Sequence, residues 1–361
     1  MSADPRAMQS DYMHFAKFGA GARYGLATSG VKDCVLDDLR LSLDDLALHG
    51  PNAGGYGPLV ERVAARFGVE PASVVMPGGG CSFANHLAMA ALVAPGDEVL
   101  IEDPTYELIG STLGHLQARL RRFERRADAA WALEPDRVAA EITPATRLVV
   151  LTDLHNPSGA LADGRAVRTI AAAAAEVGAA VFIDEVYREL TFADGAARTA
   201  FRAGGNVVVA SSLTKAYGVS GLRCGWILAS PEPAERMRRL NDLYGVHPPH
   251  VAERMAVVAF DRLPELRERA NGMIDANRAA YREILGDHPR LDQTLFDQGT
   301  TVFPCLLDGD VEALFHRAVS EFETSFVPGR FFGRPQHLRI GLGGDPDATR
   351  IGLERLAGAL A

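Results

Sequence analysis

The chain has 361 residues, 47% hydrophobic and 23% charged, which is the composition of a folded globular protein and the length of about two domains. A formal net charge of −9 excludes the basic stripe with which proteins neutralise nucleic-acid phosphates, so small molecules are the expected partners. Cys34, Cys81, Cys224 and Cys305 form no C-x-x-C pair and the histidines form no H-E-x-x-H, so neither a disulfide framework nor a metal site is expected.

The N-terminal stretch MSADPRAMQSDYMHFAK lacks the apolar core of a signal peptide, and no segment reaches the apolar length of a membrane helix. A cytoplasmic location follows as the default. GAGARYG has neither the G-x-G-x-x-G spacing nor a preceding buried strand, and no G-x-x-x-x-G-K-[ST] occurs, which removes dinucleotide and ATP motifs. From about Ser73 to Ser230, short apolar runs alternate with helical stretches, as in a sheet covered by helices on both faces. EVLIED (98–103), RLVVLTDL (147–154), AAVFIDE (179–185), NVVVASS (206–212) and CGWILAS (224–230) read as buried strands. ADGRAVRTIAAAAAEVG (162–178) reads as an Ala-rich helix closed by a glycine. After about Pro231 long charged helices take over, with a break expected at Pro264. The short strands TVFPCLL, ETSFVPG and HLRIGLGG follow, and a last helix runs from Asp345.

Four segments carry candidate chemistry, each with an ordinary reading beside it. MPGGGCSFANHLAMAAL sets three glycines and Ser82 before a helix, which is an anion site or a plain turn. LTDLHNPSGAL puts Asn156 in a strand-end turn. VFIDEVYREL runs a buried strand into Asp184 and Tyr187, where a carboxylate contacts a ligand or caps a helix. In SSLTKAYGVSGLRCG, Lys215 just past a buried strand is a solvated charge or a partly desolvated amine of lowered pKa.

In order and spacing, these segments resemble the class I and II aminotransferases of fold type I over nearly the whole chain. The resemblance implies an α/β fold with a mostly parallel central sheet, helices on both faces, and a smaller α+β domain. It implies a large cofactor domain over 46–245 and a small domain made of 1–45 and 246–361. The cofactor implied is pyridoxal 5′-phosphate, carried by Lys215 as a Schiff base. Ser212, Arg223, Gly80, Cys81 and Ser82 would bind its phosphate, and Tyr106 of DPTYE would stack on its ring. Asn156 and Tyr187 would bond the phenolic oxygen, and Asp184 would pair with the pyridine nitrogen. Arg339 would fork onto the substrate α-carboxylate, with Asn156, Ser29 and Gly30 also at the substrate. Tyr56 of GGYGPL would reach the phosphate of the neighbouring subunit, which implies a homodimer with shared active sites.

The reaction implied is a ping-pong transamination between an L-amino acid and a 2-oxo acid, with Lys215 as the proton-transfer base. Where aspartate-specific relatives carry an arginine for the distal carboxylate, an ungapped count reaches Asp242, which favours a cationic donor. The same scaffold also serves lyases, cyclases, decarboxylases and oxidases. A pyridoxal-phosphate-sensing transcription factor is disfavoured by charge and by the lack of room for a winged helix, and an NAD dehydrogenase by the missing glycine fingerprint.

Overall fold

The computed structural model of the chain describes residues 6–191 and 198–361. Residues 1–5 of the expected small domain and 192–197 of the expected large one lie outside the described residues. The apolar runs become a seven-stranded sheet of β1 (Val74–Val75), β2 (Glu98–Asp103), β3 (Arg119–Glu124), β4 (Thr146–Thr152), β5 (Ala180–Asp184), β6 (Val207–Ser212) and β7 (Gly225–Leu228). Their spatial order is β1-β7-β6-β5-β4-β2-β3. Every neighbouring pair is parallel except those made by β7, which runs antiparallel to both β1 and β6.

Near-continuous apolar strands require cover on both faces, and the packing supplies it. Val149, Leu151, Val181, Ile183, Val207 and Val209 pack with Val167, Ile170 and Ala174 of the helix Gly164–Glu176. The intervening residues Leu148, Val150, Phe182, Val208 and Ala210 pack on the other side with Ala84, Leu87 and Ala88 of the helix Gly80–Leu92. Asp163 caps the first of these helices by accepting from the Arg165 N–H, and Gly178 beyond its end has φ +73°. The edge strand β3 carries RLRRFE and exposes half of it, with Arg121 paired to Glu98 at 3.3 Å and to Glu141 at 2.7 Å.

A second core gathers Tyr12, Phe15, Leu26, Tyr281, Phe326, Leu338 and Leu353 around a three-stranded antiparallel sheet of Thr301–Val302, Leu338–Gly341 and Val327–Pro328. Pro264 does interrupt the helical stretch, separating His250–Asp261 from Leu263–Leu285. Ala256, Ala259, Phe260, Leu263 and Leu266 pack into the core of the large sheet, whereas Ala280, Tyr281 and Leu285 join the second core. The two cores therefore meet along the helix Leu263–Leu285, whose start packs with the first and whose end packs with the second. No helix among the described residues is long and apolar enough to cross a membrane.

Candidate active site

Strand register decides which polar groups meet. Thr152 at the end of β4 stands opposite Asp184 at the end of β5, Asp184 opposite Ala210 of β6, and Ser212 at the end of β6 opposite Gly225, where the antiparallel β7 begins. One edge of the sheet thus collects Asp184, the Asn156 turn, Ser212 with Lys215, and Arg223. The first turn of Gly80–Leu92 also opens here. These elements border a cavity of about 490 Å³ lined by Ser29, Cys81, Ser82, Tyr106, Asn156, Asp184, Tyr187, Ser212, Lys215 and Arg223, all expected from the sequence.

Lys215 is half-buried, and desolvation followed by the nearby Arg339 and Arg223 charges brings its amine down to about 8. Gly30 packs directly on it: a Cβ there would lie 3.0 Å from Lys215 Cδ, and the Val31 N–H donates to the Lys215 carbonyl at 3.0 Å. Burial pushes the Asp184 carboxyl up, against donors that favour its ionised form. Asn85 Nδ2 donates to Oδ2 at 2.7 Å, the Val186 N–H donates to Oδ1 at 3.0 Å, and Cys81 Sγ lies 3.5 Å from Oδ1. Tyr187 is also raised by burial, opposed by Arg339 and by a hydrogen bond to Ser29.

Arg339 is fully buried at the junction of the two cores. Its guanidinium donates to Asn156 Oδ1 at 3.0 Å and to the Tyr12 hydroxyl at 2.8 Å, and lies against the rings of Tyr12 and Phe332. Its Nε has no hydrogen-bond partner. Burial pulls its pKa down, but Tyr12 and Tyr187 more than reverse this.

The anion end of the cavity is equally specific. Gly80 has φ +75°, and a Cβ there would fall 2.7 Å from Arg223 Nη2, so only glycine lets the guanidinium lie over the helix start. Thr214 Oγ1 on the cavity wall is buried without a partner, the state of a hydroxyl that awaits a ligand. A helix N-terminus, a guanidinium and an orphan hydroxyl at one end, with a half-buried amine and a buried carboxylate beyond them, fit the phosphate, aldehyde and ring nitrogen of pyridoxal 5′-phosphate.

Five expected residues are not on the cavity wall: Gly30, Gly80 and Arg339 lie behind it, against Lys215, Arg223 and Asn156, whereas Tyr56 and Asp242 point elsewhere. Tyr56 donates its backbone N–H to Glu253 at 2.9 Å, accepts from Arg254 at 3.2 Å on its hydroxyl, and packs edge-on against His250. Asp242 caps the helix Pro231–Asn241, with an exposed carboxylate 2.8 Å from Arg239. A cationic donor therefore gets no counter-charge from Asp242 within one chain. The sequence reading missed Tyr12, Met13 and Lys17 of the helix Asp11–Phe18, and Asn85, Thr152 and Thr214, all on the cavity wall. Only Asn85 left a usable signal, since it stands one helical turn after Cys81 at the glycine-rich start.

This geometry belongs to a known class. The family Aminotransferase class I and II matches residues 17–356, and the chain is a member of it. It is therefore a pyridoxal-phosphate-dependent enzyme of fold type I. Capreomycidine synthase from Streptomyces vinaceus is 30% identical, over 93% of this chain and 89% of its own. Histidinol-phosphate aminotransferase 2 from Ralstonia nicotianae is 28% identical, over 89% and 83%. The crystal structure of a pyridoxal-phosphate-dependent aminotransferase from Streptococcus suis superposes with a TM-score of 0.88 at 22% identity, covering 100% of this chain and 98% of that one.

Proposed function

We propose that the protein moves an amino group from an L-amino acid to a 2-oxo acid by a ping-pong transamination. The observation that carries this is one cavity whose wall holds a half-buried amine, Lys215, and a buried carboxylate, Asp184, with a buried guanidinium, Arg339, directly behind the wall residues Asn156 and Tyr12 to which it donates. When bound, pyridoxal 5′-phosphate supplies the electron sink for the Cα–H bond pair and carries the amino group between the two half-exchanges.

The chain's own residues do the rest. Arg339, steadied by Asn156 and Tyr12, fixes the α-carboxylate by two parallel hydrogen bonds, which orients Cα toward Lys215. An amine drawn to about 8 is neutral in roughly a fifth of molecules near physiological pH, against under about a thousandth for an ordinary lysine, and the neutral form is the one that can remove the Cα proton. Asp184, whose hydrogen-bond donors oppose the rise that burial gives its carboxyl, would pair with the ring nitrogen and hold a proton there. Arg223, Ser82, Ser212, Thr214 and the Gly80–Cys81 turn would hold the phosphate, Tyr106 would cover the ring, and Tyr187 and Asn156 would bond its phenolic oxygen.

The active form is a homodimer in the cytoplasm, each subunit comprising a large cofactor lobe and a small lobe. Support for the dimer comes from Tyr56, which lies outside its own cavity, and from Leu43, Leu48, Leu243 and Val246, which are all strongly exposed in the single chain. A second reading is that the enzyme diverts the same proton abstraction into a lyase, cyclase, decarboxylase or oxidase reaction, and the relative named a synthase favours it. Purified holoenzyme mixed with a donor and no acceptor separates the two. Transamination releases 2-oxo acid equal to the enzyme present and turns over only when a second 2-oxo acid is added; continuous product formation without an acceptor assigns the alternative chemistry.

A further inference from the structure

The wall opposite the sheet edge is made by the short helix Asp11–Phe18 and the segment after it. Tyr12, Met13, Ala16 and Lys17 face the cavity at i, i+1, i+4 and i+5, and Ala20 continues the same line. The helix is fixed at three points. Ser10 caps it by accepting from the Met13 N–H at 3.1 Å and is also hydrogen-bonded to Glu107 of the large lobe. Tyr12 is tied to Arg339, and Phe15 is buried in the second core. A wall held in this way presents a defined surface and not a fluctuating one.

Its chemistry differs from that of the opposite wall. Next to the Tyr12–Arg339 anchor, the side chains shrink to Ala16 and Ala20, which leaves space along the helix. Lys17 stands beyond them at the rim, exposed and with no carboxylate in ion-pair range among the described residues. From Tyr12 to Lys17 the helix rises about 7.5 Å, more than a two- or three-atom side chain covers. Apart from the Asp184 carboxylate, the charged groups lining the cavity are the cations Lys17, Lys215 and Arg223.

We propose that this helix face selects the amino donor: Ala16 and Ala20 admit an extended side chain, and Lys17 receives an anionic group at its end. The proposal rests on the transaminase reading, because Arg339 must hold the α-carboxylate for the side chain to run along the helix. A guanidinium or ammonium end would be left beside Lys17 with no counter-charge on this wall.

The test uses holoenzyme and four donors: L-2-aminoadipate, L-norleucine, L-lysine and L-alanine. For Lys17→Glu, the ratio of kcat/KM for 2-aminoadipate over lysine is expected to fall roughly tenfold, through KM, with the effect shrinking as salt is added. Lys17→Gln, a neutral change at an exposed site, should fall between the two. For Ala16→Phe, the norleucine-to-alanine ratio is expected to fall roughly tenfold or more, with the thermal midpoint of the protein as a folding control. A charge ratio that stays within twofold overturns the role of Lys17, and a size ratio that stays within twofold in folded Ala16→Phe overturns that of Ala16. Should the wild type transaminate no donor in a full panel of L-amino acids, the transaminase reading itself fails, and turnover of other donors but none of these four overturns the donor proposal alone.

Discussion

The two walls of the cavity are anchored differently. On one, Asp184, Asn156, Ser212 and Lys215 end or follow strands packed on both faces, the first three buried and Lys215 half-buried. On the other, Tyr12, Met13, Ala16 and Lys17 sit on an eight-residue helix, too short to be stable alone, that depends on contacts to Arg339, Glu107 and the second core. Rigid strand ends suit chemistry common to every substrate, because proton transfer tolerates little misplacement. A docked helix can be changed without disturbing the sheet and suits what varies between substrates. Substitutions on the first wall should therefore cost turnover for all donors, and substitutions on the second should re-rank them.

The largest loss is expected for Lys215→Ala. Removing the base alone should lower kcat by roughly 10²–10⁴-fold for every donor, measured as 2-oxo acid release at saturating substrate. The same residue makes a second prediction, in the cofactor-free protein. Its folded pKa of about 8 lies below the ordinary 10.5, so the folded state binds fewer protons than the unfolded one between those values. Stability should rise with pH across that window, and the neutral Lys215→Met variant should flatten the rise. At neutral pH it should exceed the wild type by on the order of 3 kcal/mol in urea unfolding. A wild type with no such slope would mean that the amine is not desolvated.

Next comes Arg339→Lys, which keeps the charge but loses the fork. With Asn156 and Tyr12 left without the bonds they now receive, kcat/KM should drop by about 10²-fold for donor and acceptor alike, mainly in KM. A loss confined to one donor would move Arg339 from the shared wall to the selective one.

Asn85→Ala should act more weakly and through Asp184. Without the amide donor the raised Asp184 carboxyl rises further, so cofactor affinity should fall roughly tenfold, and more so as the pH is lowered. The readout is the dissociation constant of pyridoxal phosphate from the apoprotein across pH. A pH-independent loss would mean that Asn85 merely packs.

These two walls were not equally legible in the sequence. Asp184, Asn156, Ser212 and Lys215 each end or follow an unbroken apolar run, a pattern that survives without the partner strands. Arg339 and Tyr12 meet across 327 positions, and nothing local marks Tyr12 in a polar N-terminal stretch. Asn85 reaches Asp184 across 99 positions and declares only its helical phase relative to Cys81. The strand β3 was overlooked because an edge strand can be arginine-rich, and β1 because two residues make no periodicity. That one long amphipathic helix serves both cores, its start packing on the large sheet and its end on the small one, is likewise not marked by any local pattern.

The smallest effect is expected for Asp242→Ala, and it sharpens the comparison most. Its carboxylate is exposed and paired with Arg239, an arrangement worth about 0–1 kcal/mol, and it borders neither wall of its own cavity. Donor preference between lysine and 2-aminoadipate should change less than twofold. Leu243 and Val246 beside it are strongly exposed, however, which is the surface expected to meet a second subunit. A larger change would therefore have a definite meaning: selectivity is then shared with the neighbouring subunit, and Asp242 competes with Lys17 for the end of the same side chain. The double variant Lys17→Gln/Asp242→Ala distinguishes the cases, since independent sites give additive changes in the ratio and a shared side chain does not.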